Sequence, residues 1–251
     1  MRSLVDLWLV GVVAFFSRLL RVVGWSNLVA SMRWLLTLAV LCSALGSVLL
    51  GAAIAAPLAL PIDQARQQPD SVEVVVVGRV TVPSGWFESA NLDRGFALQD
   101  QSGGIFVSAD RDVGLQTGEV VEVIGPLQDD GHGQRVVRLK AWNLRDLTLP
   151  KIAPQVASVH TAATELEGQL VTVQGTIARP LVEDAPYGDR LWIEDDTGIM
   201  QIYIPRSTGI SPQDLPFLQS GHMIRVTGLS SQYDLIDEVM PRQVEDIRPV
   251  G

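Results

Sequence analysis

The chain of 251 residues has one cysteine, Cys42, and it lies inside an apolar run. A disulfide framework and a Cys-based zinc site within one chain are therefore excluded. There are only three histidines, His132, His160 and His222, scattered too widely to suggest a facial metal triad. No Walker loop and no Gly-x-Ser-x-Gly elbow occurs, so no motif cradles a phosphate or activates a nucleophile. Basic residues are scarce. The first 60 residues take Arg2, Arg18, Arg21 and Arg33 against Asp6; removing these from 19 basic and 28 acidic residues leaves 15 and 27, a balance near −12. That sign excludes gripping phosphates through bulk charge, so any nucleic-acid binding must use a local patch and be modest and salt-sensitive. Glu194-Asp195-Asp196 does not read as a calcium site, because adjacent strand residues point to opposite sides and calcium needs six or more oxygens. No catalytic residue, metal or cofactor is expected.

What is present begins with apolar sequence. Trp34 to Leu60 carries no charge and exceeds the roughly 20 residues that cross a bilayer as a helix. The four arginines precede it, which places the N-terminus in the cytoplasm and the remainder outside. Met32-Arg33, the apolar run and Ala53-Ile54-Ala55 equally fit a signal peptide with an A-x-A cleavage site, with Met32 as start. Both readings stay open: a cell-membrane protein with extracytoplasmic domains, or a secreted or periplasmic one. The expected organisation is a cytoplasmic or poorly assigned segment over 1–33, the anchor or signal over 34–60 and a polar linker over 61–72. Two domains follow at 73–149 and 167–249, joined by a linker over 150–166 that has room for one short helical turn.

Those two domains are a repeat. Val74-Val75-Val76-Val77-Gly78 to Pro83 matches Val171-Thr172-Val173-Gln174-Gly175 to Pro180. Phe96-Ala97-Leu98-Gln99-Asp100-Gln101-Ser102-Gly103 matches Leu191-Trp192-Ile193-Glu194-Asp195-Asp196-Thr197-Gly198, and Gly118 to Gly125 matches Gly221 to Gly228. Val, Ile and Thr alternate with polar residues at a period of two, which predicts strands. The Asp-x-Ser/Thr-Gly segments predict hairpin turns, because Asp bonds its own backbone two residues on and Gly tolerates positive φ. Gly78 and Gly175, inside strands, predict a bulge or bend.

An aromatic or apolar hairpin ending in Asp-x-Ser-Gly-Gly, here Phe96 to Gly104, precedes a Gly-acid-x-Val-x-Val-x-Gly strand, here Gly118 to Gly125. This pattern resembles the bacterial exported tandem OB-fold family, of the nuclease-associated type, without its nuclease domain. The resemblance implies an all-β fold of two tandem OB-fold five-stranded Greek-key barrels after the N-terminal transmembrane or signal helix. It also implies a ligand face on strands 2 and 3 of each barrel.

Parity selects that face. Phe96, Leu98, Ile105 and Val107, with Leu191, Ile193, Met200 and Ile202, are apolar in both copies and point to the core. The opposite parity carries Phe106 in the first copy and Trp192 and Tyr203 in the second. These aromatics either stack ligand bases or sugars or pack against the other barrel, a loop or the linker. Arg190 and Arg206 flank the second hairpin, placed for phosphate or simply solvated. Trp86-Phe87, after Pro83-Ser84-Gly85, reads as a loop tip that closes over a ligand or plugs the barrel. Arg135, Arg138 and Lys140 form a local basic cluster, or simply a solvated strand face. The sequence thus suggests a non-enzymatic protein that weakly binds single-stranded nucleic acid. The alternative is an envelope module that binds protein or glycan. The second copy, with Trp192 and Tyr203 where the first has Ala97 and Ser108, is expected to bind more.

Overall fold

Strands dominate, as the period of two predicts, and they form two sheets. In the computed structural model, residues 58–88 and 94–251 are described, and they belong to one compact unit. The segment 1–33 and nearly all of the apolar run 34–60 lie outside the described residues. Among the described residues no helix is long and apolar enough to cross a membrane.

The first sheet contains β1 (Glu73–Glu88), β2 (Arg94–Gln99), β3 (Gly104–Ala109), β4 (Val120–Asp129), β5 (Arg135–Arg138) and β6 (Ala141–Leu144). Its pairings close on themselves: β1 to β2, β2 to β3, β3 to β5, β5 to β4, and β4 back to β1. Only β3–β5 is parallel. The second sheet contains β7 (Gln155–Val156), β8 (Leu170–Asp184), β9 (Gly188–Asp195), β10 (Gly198–Pro205), β11 (Met223–Tyr233), β12 (Ile236–Met240) and β13 (Ile247–Pro249). It repeats the circuit as β8, β9, β10, β12, β11 and back to β8, again with one parallel contact, β10–β12. Two rings therefore share one plan.

One strand turns the corner in each ring. β1 pairs with β4 up to Arg79 and with β2 from Arg79 onward. Gly78 sits at that corner, where an added Cβ would lie 3.1 Å from the Gln99 carbonyl oxygen; at Gly175 the corresponding approach to Glu194 is 2.7 Å. Both glycines thus mark the bend expected of them. β1 continues past Pro83-Ser84-Gly85, with Gly85 at φ +80° and register shifts on the way, and pairs Phe87 with Gly95. Trp86-Phe87 is therefore strand rather than a loop tip.

The supposed polar linker 61–72 is also structured. Helix α1 (Ile62–Arg66) buries Ile62 and Ala65, one turn apart, in the first core beside Phe96, Leu98, Val107 and Leu127. Helix α2 (Val159–Glu165) does the same for the second ring with Val159 and Ala162, among Val171, Leu191 and Ile202. The hairpin turns hold these helices. Asp100 accepts from the N–H groups of Ser102 and Gly103 through Oδ1, and from the Ile62 N–H through Oδ2 at 3.0 Å. Asp195 accepts from Thr197 and Gly198 in the same way, and from the Val159 N–H at 2.9 Å. Burial alone would raise the Asp195 carboxyl; the hydrogen bonds from Thr197, Val159 and Gly198 outweigh it and hold it below the usual carboxylate value.

A third apolar cluster joins the rings. Val82, Phe87, Ala97, Phe106 and Val136 from the first pack against Leu229 and Met240 from the second, with Tyr203 at the edge. Backbone meets backbone nearby, for a Cβ on Gly104 would lie 2.0 Å from the Gly168 carbonyl oxygen. Polar contacts flank this seam. Gln99 accepts from the Leu170 N–H at 2.9 Å, Arg66 pairs with Glu167 at 3.0 Å, and Arg242 donates to the Thr81 carbonyl at 3.1 Å.

Candidate ligand face and cleft

The seam uses up the β2–β3 face of the first ring. Phe106 is 1% exposed and Phe87 0%, and Ala97 is buried with them. A buried ring has no face to offer a base, so Phe106 and Phe87 act in packing. The inter-ring alternative accounts for Phe106, whereas Phe87, expected to close over a ligand or plug the barrel, lies in the same seam instead. Trp86 keeps partial exposure, and its carbonyl accepts from Ser207 Oγ at 2.5 Å across the seam.

The equivalent face of the second ring is covered only in part: Gln201 is buried and Tyr203 packs against the seam, whereas Trp192 and Arg190 on β9 stay half-buried. On β9, Trp192 is half-buried, and the Arg179 guanidinium of β8 lies 5.4 Å from its ring centroid. Strand pairing sets Arg179 opposite Trp192, so the contact follows from register. A cation over an indole fixes the ring's orientation and places positive charge beside it. Two residues before Trp192, on the same face, Arg190 donates to Asp184 at 2.7 Å, and the Tyr203 hydroxyl donates to the same carboxylate oxygen at 3.3 Å. Burial, then the charge and hydrogen bond of Asp184, push the Tyr203 hydroxyl up, so it stays a donor. Arg206 pairs with Glu183 at 3.1 Å. Trp192, Arg190 and Tyr203 therefore share a face, whereas Trp86 and Arg206 border it.

The expected basic cluster is neutralised rather than gathered. Arg135 pairs with Asp70, Arg138 with Asp110, and Lys140 with Glu73. His132 stacks on Tyr233 with centroids 4.8 Å apart and bonds Asp234 at 2.8 Å, joining the rings.

Beside the second ring's face lies a cleft of about 350 Å³ that parity reasoning missed. Glu238, Gln201, Tyr203 and Arg190 line it from the second ring, and Gln134 and Asp130 from the first. Glu238 is 6% exposed, and burial pushes its carboxyl up to about 7, against the lowering effects of Gln201 and Arg190. Gln201 Nε2 donates to Glu238 Oε2 at 2.7 Å. Burial also raises the Asp130 carboxyl, against the hydrogen bonds from His132 and Gln134. One sequence signal was available: Ile236, Glu238 and Met240 alternate on β12, a carboxylate between two apolar residues of one face.

No family model matches the chain. It is 29% identical over 135 residues to Endonuclease YhcR of Bacillus subtilis (strain 168), across 51% of this chain and 10% of that protein. The chain thus spans about a tenth of that relative's length. Among solved structures, a murine DNA binding protein bound with ds DNA aligns over 66% of this chain and 90% of its own, at 14% identity and TM-score 0.37. The OB domain of MM0293 from Methanosarcina mazei covers 40% of this chain and 87% of its own, at 16% identity and TM-score 0.33. The p204 HINb domain covers 72% and 96%, at 13% identity and TM-score 0.33. These are slight likenesses.

Proposed function

We propose that the chain is a non-enzymatic tandem OB-fold binding protein, with domains at 73–149 and 167–249, that weakly binds single-stranded nucleic acid through its second copy. The five-strand circuits, with one parallel contact each, support the OB-fold reading. The asymmetry between the copies carries the functional one. The first copy's face is sealed in the seam, while the second presents Trp192 under Arg179, with Arg190 and Tyr203 beside it. An indole is a sequence-tolerant platform for a base, and an adjacent guanidinium suits a phosphate. Asp184, Glu183 and Glu194 on and around the same face oppose tight phosphate binding. Association is therefore weak and falls steeply with salt. The partial likeness to an endonuclease agrees with a nucleic-acid partner.

We further propose that the apolar stretch 34–60 delivers the domains outside the cytoplasm, as anchor or as signal; comparing whole cells with culture medium separates the two. The binding reading is tested with a labelled single-stranded oligonucleotide and fluorescence anisotropy at low salt. The full chain binds, and Trp192→Ala weakens binding by about 1–3 kcal/mol, roughly 5- to 150-fold in Kd. No binding by the wild type, or an unaffected Trp192→Ala, refutes it. An envelope glycan bound in its place would support the interaction-module alternative.

A further inference from the structure

Two side chains that line the cleft each carry one buried atom with no hydrogen-bond partner, Gln201 Oε1 and Gln134 Nε2. Both side chains are more than nine-tenths buried, at 4% exposure each, and both line the same cavity. One atom is an acceptor and the other a donor. Native proteins seldom leave such atoms unmet, so each calls for an explanation. Elsewhere the pocket is well satisfied: Gln201 Nε2 bonds Glu238, and Tyr203 and Arg190 bond Asp184. The unmet pair comes from different rings, one residue from β10 and one from the turn before β5, so the docking of the rings brings them to a common space.

We propose that this cleft binds a single nucleobase, as a free nucleoside or as one base of a strand lying on the Trp192 face. The ligand class rests on the nucleic-acid reading above. Every base carries a donor next to an acceptor on its pairing edge, and unstacked bases are read there by hydrogen bonds. Gln201 Oε1 accepts from the base, and Gln134 Nε2 donates to it. Tyr203 and Tyr233 supply aromatic wall, and Met240 and Ile236 supply apolar wall. The volume of about 350 Å³ sits at the small end of ligand pockets, which run to about 1,000 Å³, and matches one ring system rather than an oligomer. Glu238 borders the site, and its protonated carboxyl adds a donor below neutral pH. A phosphate is disfavoured here by Asp184 and Asp130, so the strand's backbone stays outside, toward Arg179 over the Trp192 ring.

The test is isothermal titration of the full chain with adenosine, cytidine, guanosine and uridine, and with N-acetylglucosamine. At least one nucleoside binds, and Gln134→Leu weakens it about two- to tenfold while Tm stays level or rises, since an unpartnered buried atom is removed. Gln201→Leu provides a second variant with the same expected loss of affinity. Binding of the oligonucleotide without any nucleoside overturns the cleft assignment and leaves the Trp192 reading intact. Nucleoside binding without oligonucleotide binding does the reverse. Binding of the sugar alone, or unchanged nucleoside affinity in both variants, also overturns the assignment.

Discussion

Replacing Glu238 by glutamine should change the pH dependence of stability in a way that can be worked out in advance. Burial carries the Glu238 carboxyl from the ordinary 4.5 to about 7 in the folded chain. The direction is the reverse of a salt-bridged acid: the native state holds its proton more tightly than the unfolded state. Stability is therefore complete below about pH 4.5, falls as pH rises, and reaches its full penalty above about pH 7. At about 1.4 kcal/mol per pH unit, the penalty is about 3 kcal/mol. Glutamine keeps the shape and the contact with Gln201 but does not ionise. Urea unfolding of both full-length proteins, at a series of pH values, isolates this group because the remaining titrations cancel in the difference. The two proteins should differ little near about pH 4.5, and Glu238→Gln should be the more stable by up to about 3 kcal/mol near pH 8. A difference that does not change with pH would refute the buried, proton-retaining state of Glu238.

Three further outcomes follow from the packing. Phe106→Ala should cost about 3–5 kcal/mol in urea unfolding, as for a core aromatic, although its sequence parity places it on an outer face. Gly104→Ala drives a methyl into the Gly168 carbonyl and should cost about 1–3 kcal/mol or more; Ile199→Ala, at the equivalent but exposed position, should stay within about 0.5 kcal/mol by the same measurement. Asp195→Ala removes the turn contacts and the N–H acceptor for α2 together, and a loss of about 1–3 kcal/mol should appear as faster hydrogen exchange in α2.

The rings were legible in the sequence because their cores obey a strict period of two. Phe96, Leu98, Ile105 and Val107 point inward, as do Leu191, Ile193, Met200 and Ile202. Glycine at 78 and 175 announced the corners, since a Cβ there meets the neighbouring strand. The plug helices were harder to see. Their buried apolar residues are only two per copy, Ile62 and Ala65 or Val159 and Ala162, yet they keep the offset of 97 residues found between Gly78 and Gly175. The seam was half legible. Parity separates inside from outside of one ring, but it cannot tell a solvent face from one covered by a second ring. Small residues were the clue: Ala97 and Gly104 stand where the second copy has Trp192 and Ile199, and smallness permits close approach. The cleft escaped because it is assembled from both rings, by Gln134, Gln201 and Glu238, and no local spacing relates them. The basic strand misled for the converse reason. Its partners, Asp70, Asp110 and Glu73, are distant in sequence and become visible only on folding.

On the proposed reading the two copies divide their labour, the first using its β2–β3 face for the seam and the second its β9–β10 face for ligand. Hydrogen exchange of the full chain, with and without a saturating single-stranded oligonucleotide at low salt, tests this most directly. Added protection is expected in Gly188–Asp195 and Gly198–Pro205, around Trp192 and Tyr203, with none in Arg94–Gln99 and Gly104–Ala109. Protection centred on the first copy's strands, or none in either copy, would contradict it.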